Sequence, residues 1–154
     1  IISYHNPDLI LTRFQAAGNQ PGRFNNEMNR MKLGNREFDR IVKEAIARIP
    51  QEIRQHLDNI LITVQKRPAP EMLEEMGYPP DEPLLGVYWG VPLNERSIGE
   101  PPLYPDTIFI FKEPLEEMCA TREELEDEIE ITVVHEVAHF LGMSEERLAE
   151  LGYE

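Results

Sequence analysis

The residues best able to do chemistry in this chain lie together near its C-terminus, in His135-Glu136-Val137-Ala138-His139-Phe140-Leu141-Gly142-Met143-Ser144-Glu145. The stretch contains HExxH, followed at short range by a glycine and then a carboxylate. Positions i and i+4 share one face of a helix, so the imidazoles of His135 and His139 can close on a single metal ion. Glu136 stands one position further round, too far to be a third ligand. It can still reach a water bound to that metal, which is what a general base must do.

The flanking residues supply a helix to carry the motif. Thr121-Arg122-Glu123-Glu124 reads as a capping box, and Gly142 is placed to end the helix in the left-handed conformation glycine tolerates. Between Ile129 and Leu141 apolar residues occupy nearly every direction around the axis, so the helix is expected to be buried. Its polar exceptions are Glu130, Thr132, His135, Glu136 and His139. Polar side chains there are costly unless paired or metal-bound. The bland alternative is two core histidines hydrogen-bonded to their surroundings, with Glu136 as a partner.

A catalytic zinc keeps three protein ligands and one position for water. The turn after Gly142 should bring in the third: Glu145 is the first choice, with Glu146 and Glu150 as fallbacks. His5 and His56 have no surroundings that recommend them as ligands. Zn2+ at His135 and His139 would make its water acidic enough for Glu136 to take the proton, and the hydroxide would attack a peptide carbonyl. Glu136 would then hand that proton to the leaving amine. Tyr88, Tyr104 and Tyr153 are each candidates to donate to the oxyanion, and the strand around 84–91 is a candidate edge for main-chain pairing with an extended peptide.

At 154 residues the chain is long enough for one domain with a real core. Its 29 acidic against 15 basic residues, a formal charge of −14, argue against a nucleic-acid partner, which needs a basic surface. An acidic surface attracts basic substrates. No apolar run reaches the length of a membrane span, and the N-terminus lacks a signal-peptide pattern. One cysteine, Cys119, cannot pair internally and reads as a small buried residue. A reducing, cytoplasmic setting fits.

Residues 1–35 read as an N-terminal extension or arm, punctuated by Gly, Asn, Gln and Pro, with a short helix around Leu9 to Ala17. Residues 36–154 read as the domain. Phe38, Ile41, Val42, Ala45, Ile46 and Ile49 recur at helical spacing, limited by Pro50. A short helical turn over Gln51–Leu57 and a strand over Ile60–Val64 follow. Pro70–Met76 is a short helix, with proline at its first turn and Gly77 as its stop. Strands are expected at Leu84–Val91, whose two glycines signal a bulge or a close backbone approach, and at Thr107–Phe111. A helix at Pro114–Cys119, the motif helix and a last helix at Glu145–Leu151 complete an α+β domain, a small sheet packed on helices.

The motif stretch, together with Leu84-Leu85-Gly86-Val87-Tyr88-Trp89-Gly90-Val91-Pro92-Leu93, Pro105-Asp106-Thr107-Ile108 and Glu146-Arg147-Leu148-Ala149-Glu150-Leu151-Gly152-Tyr153, resembles a small bacterial family of zincin-like metallopeptidases, sometimes described as minimal zincins. The resemblance covers about residues 35 to 153. It implies a compact zincin-like fold with a small mixed sheet beside the active-site helix. It also implies zinc on His135, His139 and Glu145, Glu136 as base, and a peptide or protein substrate. The motif is similar to the metzincin HExxHxxGxxH, with Glu145 in place of the third histidine, although no later Met-turn is found. The competing reading is a catalytically inactive zincin scaffold that binds a peptide or protein without turnover.

Overall fold

The computed structural model describes residues 31–91, 93, 96, 99 and 104–153, apart from the side chain of Glu145. His5, the helix expected at Leu9–Ala17 and most of the proline-rich loop lie outside the described residues. The elements run α1 (Asn35–Arg48), α2 (Gln51–Arg54), a 3₁₀ turn (Gln55–Asn59), β1 (Leu61–Gln65), α3 (Pro70–Met76), β2 (Gly86–Trp89), β3 (Thr107–Phe111), α4 (Lys112–Met118), α5 (Arg122–Leu141) and α6 (Glu145–Glu150). This is an α+β fold. Its sheet is mixed, in the order β1-β3-β2: β1 lies parallel to β3 with Leu61 opposite Thr107, and β2 lies antiparallel with Tyr88 opposite Ile108.

Local chemistry sets most element boundaries. Phe38, Ile41, Val42 and Ala45 form the buried face of α1, and Ile49, extended before Pro50, stops it. Gly77 ends α3 at φ +63°, as the sequence predicts. The second strand is shorter than expected, four residues rather than eight. Leu84 and Leu85 precede the pairing, although Leu85 still accepts a hydrogen bond from Phe111, and Gly90 follows it.

Alternation along β3 builds two apolar layers. Ile108 and Ile110 join the main core with α1 and α5, whereas Phe109 and Phe111 face a smaller cluster with Met76, Tyr78 and Val87. Helix α5 is therefore enclosed between α1 on one side and the sheet on the other, which is why it is apolar all round. Leu125, Ile129, Val133, Val134 and Val137 are fully buried along it. Each such side chain contributes about 1.5–3 kcal/mol relative to exposure. Met31 and Leu33 also pack on this core. The Lys112 ammonium donates to the Leu33 carbonyl at 2.6 Å, and Glu116 accepts from the Leu33 N–H at 2.8 Å.

Candidate active site

Helix α5 begins as its sequence predicts. The Thr121 hydroxyl accepts from the Glu124 N–H at 3.1 Å, and the Glu124 carboxylate accepts from the Thr121 N–H, completing the capping box. It ends at Gly142, φ +66°, where the Met143 N–H bonds the Ala138 carbonyl at 2.9 Å and the Gly142 N–H bonds that of His139 at 3.1 Å. That double closure turns the chain sharply. Ser144 then caps α6 by accepting from the Arg147 N–H, so α6 starts directly after the motif. Its own end is tied back: the Tyr153 N–H bonds the Leu148 carbonyl at 3.0 Å, and the Tyr153 hydroxyl donates to Glu130 on α5 at 2.8 Å.

Within the motif, His135 is 4% exposed, while Glu136 and His139 are half-buried. The His135 Nδ1 lies 3.0 Å from the Ile131 carbonyl oxygen. A carbonyl only accepts, so Nδ1 carries the proton and the lone pair of the neutral ring is on Nε2.

Glu136 is positioned by the sheet. Leu85 bonds Phe111 on β3, so by antiparallel alternation Val87 and Trp89 continue that pairing and the Tyr88 N–H faces away from it. That N–H donates to Oε2 of Glu136 at 2.7 Å. The approach depends on Gly86: a Cβ there would lie 2.6 Å from Thr132 Cγ2 and 2.9 Å from the Phe109 carbonyl oxygen. Two strand residues rise about 6.6 Å and four helix residues about 6 Å. Gly86 against Thr132 therefore brings Tyr88 alongside Glu136. The glycines signalled a close backbone approach, and Gly86 makes one. Desolvation raises the Glu136 carboxyl from 4.5 to about 7, opposed by the Tyr88 N–H, which favours the ionised form. Thr132 Oγ1, one turn earlier, is buried with no hydrogen-bond partner among the described residues.

Of the three tyrosines considered for the oxyanion, Tyr88 donates instead to Asp106 at 2.6 Å, and Tyr153 donates to Glu130. Tyr104 is 70% exposed. The sequence assigns no role to Asp106, Arg96 or Phe140, although Asp106 and Phe140 lie in stretches that carry the family resemblance. Arg96 lies 5.2 Å over the Phe140 ring, whose centroid is 5.4 Å from that of Tyr88. Phe140 stands inside the motif, yet nothing in its spacing announces a partner 44 residues away at Arg96. A polar groove of about 500 Å³, lined in part by Asp39, Gln65, Lys66 and Lys112, sits at the other end of the sheet and holds no motif residue.

Among the described residues, no three His, Cys, Asp or Glu form a group that could hold a metal, and the Glu145 side chain is not among them. Glu146 and Glu150 are exposed, and the Glu150 carboxylate is paired with Arg147 at 2.8 Å. His56 is half-buried on the 3₁₀ turn before β1, and Cys119 is buried. No helix among the described residues is long and apolar enough to cross a membrane.

Residues 57–153 match a family model described as zincin-like metallopeptidase. A search of curated proteins finds no match.

Proposed function

The chain belongs to the zincin-like metallopeptidase family, and from that membership we propose that it hydrolyses peptide bonds, with zinc on His135, His139 and Glu145 and with Glu136 as general base. The observation that carries this reading is the 2.7 Å hydrogen bond from the Tyr88 N–H to Oε2 of Glu136. It leaves the second carboxylate oxygen for a proton and fixes where that oxygen points.

Two imidazoles and a carboxylate are the kind of donor set that zinc takes. The Ile131 carbonyl holds His135 in the tautomer whose Nε2 bears the lone pair, the arrangement in which a ligating imidazole is oriented by a backbone acceptor. His139, four residues on, shares the face. Glu145 is preferred because it is the first residue of α6, directly after the turn at Gly142 and Ser144, whereas Glu146 and Glu150 are exposed.

When bound, zinc supplies the Lewis acidity that polarises a carbonyl and makes water nucleophilic near neutral pH. Glu136 keeps Oε2 on the Tyr88 N–H and takes the proton of the attacking water on Oε1. Its ionised form, which a neighbouring cation favours, is the base. The carboxyl then gives the proton to the leaving amine. Next to His139, the Phe140 ring packs on Tyr88 and lies under Arg96. Because its hydroxyl donates to Asp106, Tyr88 contributes its backbone to the site.

The test is cleavage of casein or a peptide library by zinc-loaded protein and by Glu136→Gln. Cleavage by the wild type alone, with equal zinc in both, is the expected result. Equal cleavage by the two would sink the mechanism, and zinc binding without cleavage by either would favour the inactive peptide-binding scaffold.

A further inference from the structure

Asp106 stands directly before β3 and is 7% exposed. Its main-chain carbonyl accepts from the Leu61 N–H of β1 at 2.8 Å. Its carboxylate accepts the Tyr88 hydroxyl on Oδ1 at 2.6 Å and the Arg96 guanidinium on Oδ2 at 2.5 Å. Arg96 in turn donates from Nε to the Val91 carbonyl at 2.9 Å and covers Phe140, the neighbour of His139. One buried residue thus ties β1 through its main chain, β2 and the segment after it through its carboxylate, and, by way of Arg96, the motif helix.

This brace acts where β2 is least supported. Tyr88 is the last residue but one of the strand, and its N–H is bonded to Glu136 rather than to β3. Gly90 packs so closely on the Tyr88 hydroxyl and the Asp106 carboxylate that a Cβ there would overlap both. The bond is therefore built into the backbone path. Burial and the Asp106 charge also keep the Tyr88 hydroxyl protonated, hence a donor.

We propose that Asp106 is a positioning residue of this site: by holding the Tyr88 hydroxyl and Arg96, it keeps the Tyr88 N–H on Glu136 and so sets where the reactive oxygen of Glu136 points. The inference rests on the peptidase reading for its kinetic consequence, but not for its geometry. Charge-assisted bonds of this kind hold orientation strongly, and supporting residues of this sort are worth roughly 10- to 100-fold in activity.

The experiment uses the full zinc-loaded chain with Asp106→Asn and, separately, Tyr88→Phe, which keeps the ring and removes only the hydroxyl. Expected are unchanged zinc content, kcat lower by roughly 10- to 100-fold, KM within about threefold of wild type, and amide hydrogen exchange at Tyr88 faster by at least about tenfold. Should Asp106→Asn fail to fold, Tyr88→Phe decides alone. Unchanged Tyr88 exchange and kcat in the folded variants, or loss of zinc from them, would overturn the proposal. If the wild type cleaves nothing, the peptidase reading fails, and Tyr88 exchange still decides the positioning role: faster in the variants upholds it, unchanged refutes it.

Discussion

The Tyr88 N–H and the Glu136 carboxylate meet at 2.7 Å although 48 residues separate them. The contact joins an edge strand to the central helix at the acid of HExxH. It gives that acid one fixed oxygen and one oxygen for chemistry, and it depends on the packing of Gly86 against Thr132 beneath it.

Replacing Glu136 with Gln keeps the shape and the acceptor for Tyr88 but removes the base. Peptidase activity should fall about 100- to 10,000-fold while zinc content stays at wild-type level. Parallel assays of turnover and metal content check both halves.

Zinc should be found at about one per chain and be lost in His139→Ala. Adding a chelator should lower the melting temperature of the wild type but not of that variant, since a ligand held only by the native state stabilises it by about 3 kcal/mol at a hundred times its Kd. Identical melting curves with and without chelator would remove the metal from the account.

In the zinc-free protein, Glu136 should make stability depend on pH. Its folded value of about 7 lies above the ordinary 4.5, so the folded state holds the proton more tightly. The contribution is fully present below 4.5 and is lost as pH rises to about 7. Denaturation of the metal-free wild type should therefore show a fall across this window that Glu136→Gln lacks. Parallel profiles for the two proteins would contradict it.

Gly86→Ala should push β2 off α5, because its Cβ would press on Thr132 Cγ2 and on backbone at Phe109. The backbone cannot yield as a side chain can, so the cost should be about 1–3 kcal/mol in urea denaturation. Activity should fall with it, since the same contact sets Tyr88 on Glu136.

Thr132→Val should have the opposite sign. The buried hydroxyl has no partner among the described residues, and a methyl group in its place avoids the desolvation penalty. A gain of about 1 kcal/mol is expected, read from the same denaturation curves. A loss of stability would mean that the hydroxyl is satisfied in solution.

Much of this molecule was legible because its signals are local. The capping box at Thr121, the left-handed stop at Gly142 and the proline start of α3 each act within one helical turn, so neighbouring residues determine them. HExxH belongs to the same class: i and i+4 share a face in any helix. The all-round apolar pattern of α5 also foretold burial, since only a helix covered on several sides is stable with that composition. The second strand was overestimated because the apolar residues flanking β2, Leu84 and Val91, are at least half-buried while lying outside its paired register.

What only the tertiary structure decided is which distant groups meet the motif. Glu136 finds Tyr88 through the close approach of Gly86 to Thr132, and Tyr88 finds Asp106 and Arg96 across the sheet and its following loop. An isolated acid before a strand, or an arginine among prolines, looks the same in sequence whether it faces water or a buried partner. The local spacing determined that a metal-binding pair and a base could exist. The packing of one strand against one helix decided how that base is held, because hydrogen bonds between remote elements depend on the whole core being in place.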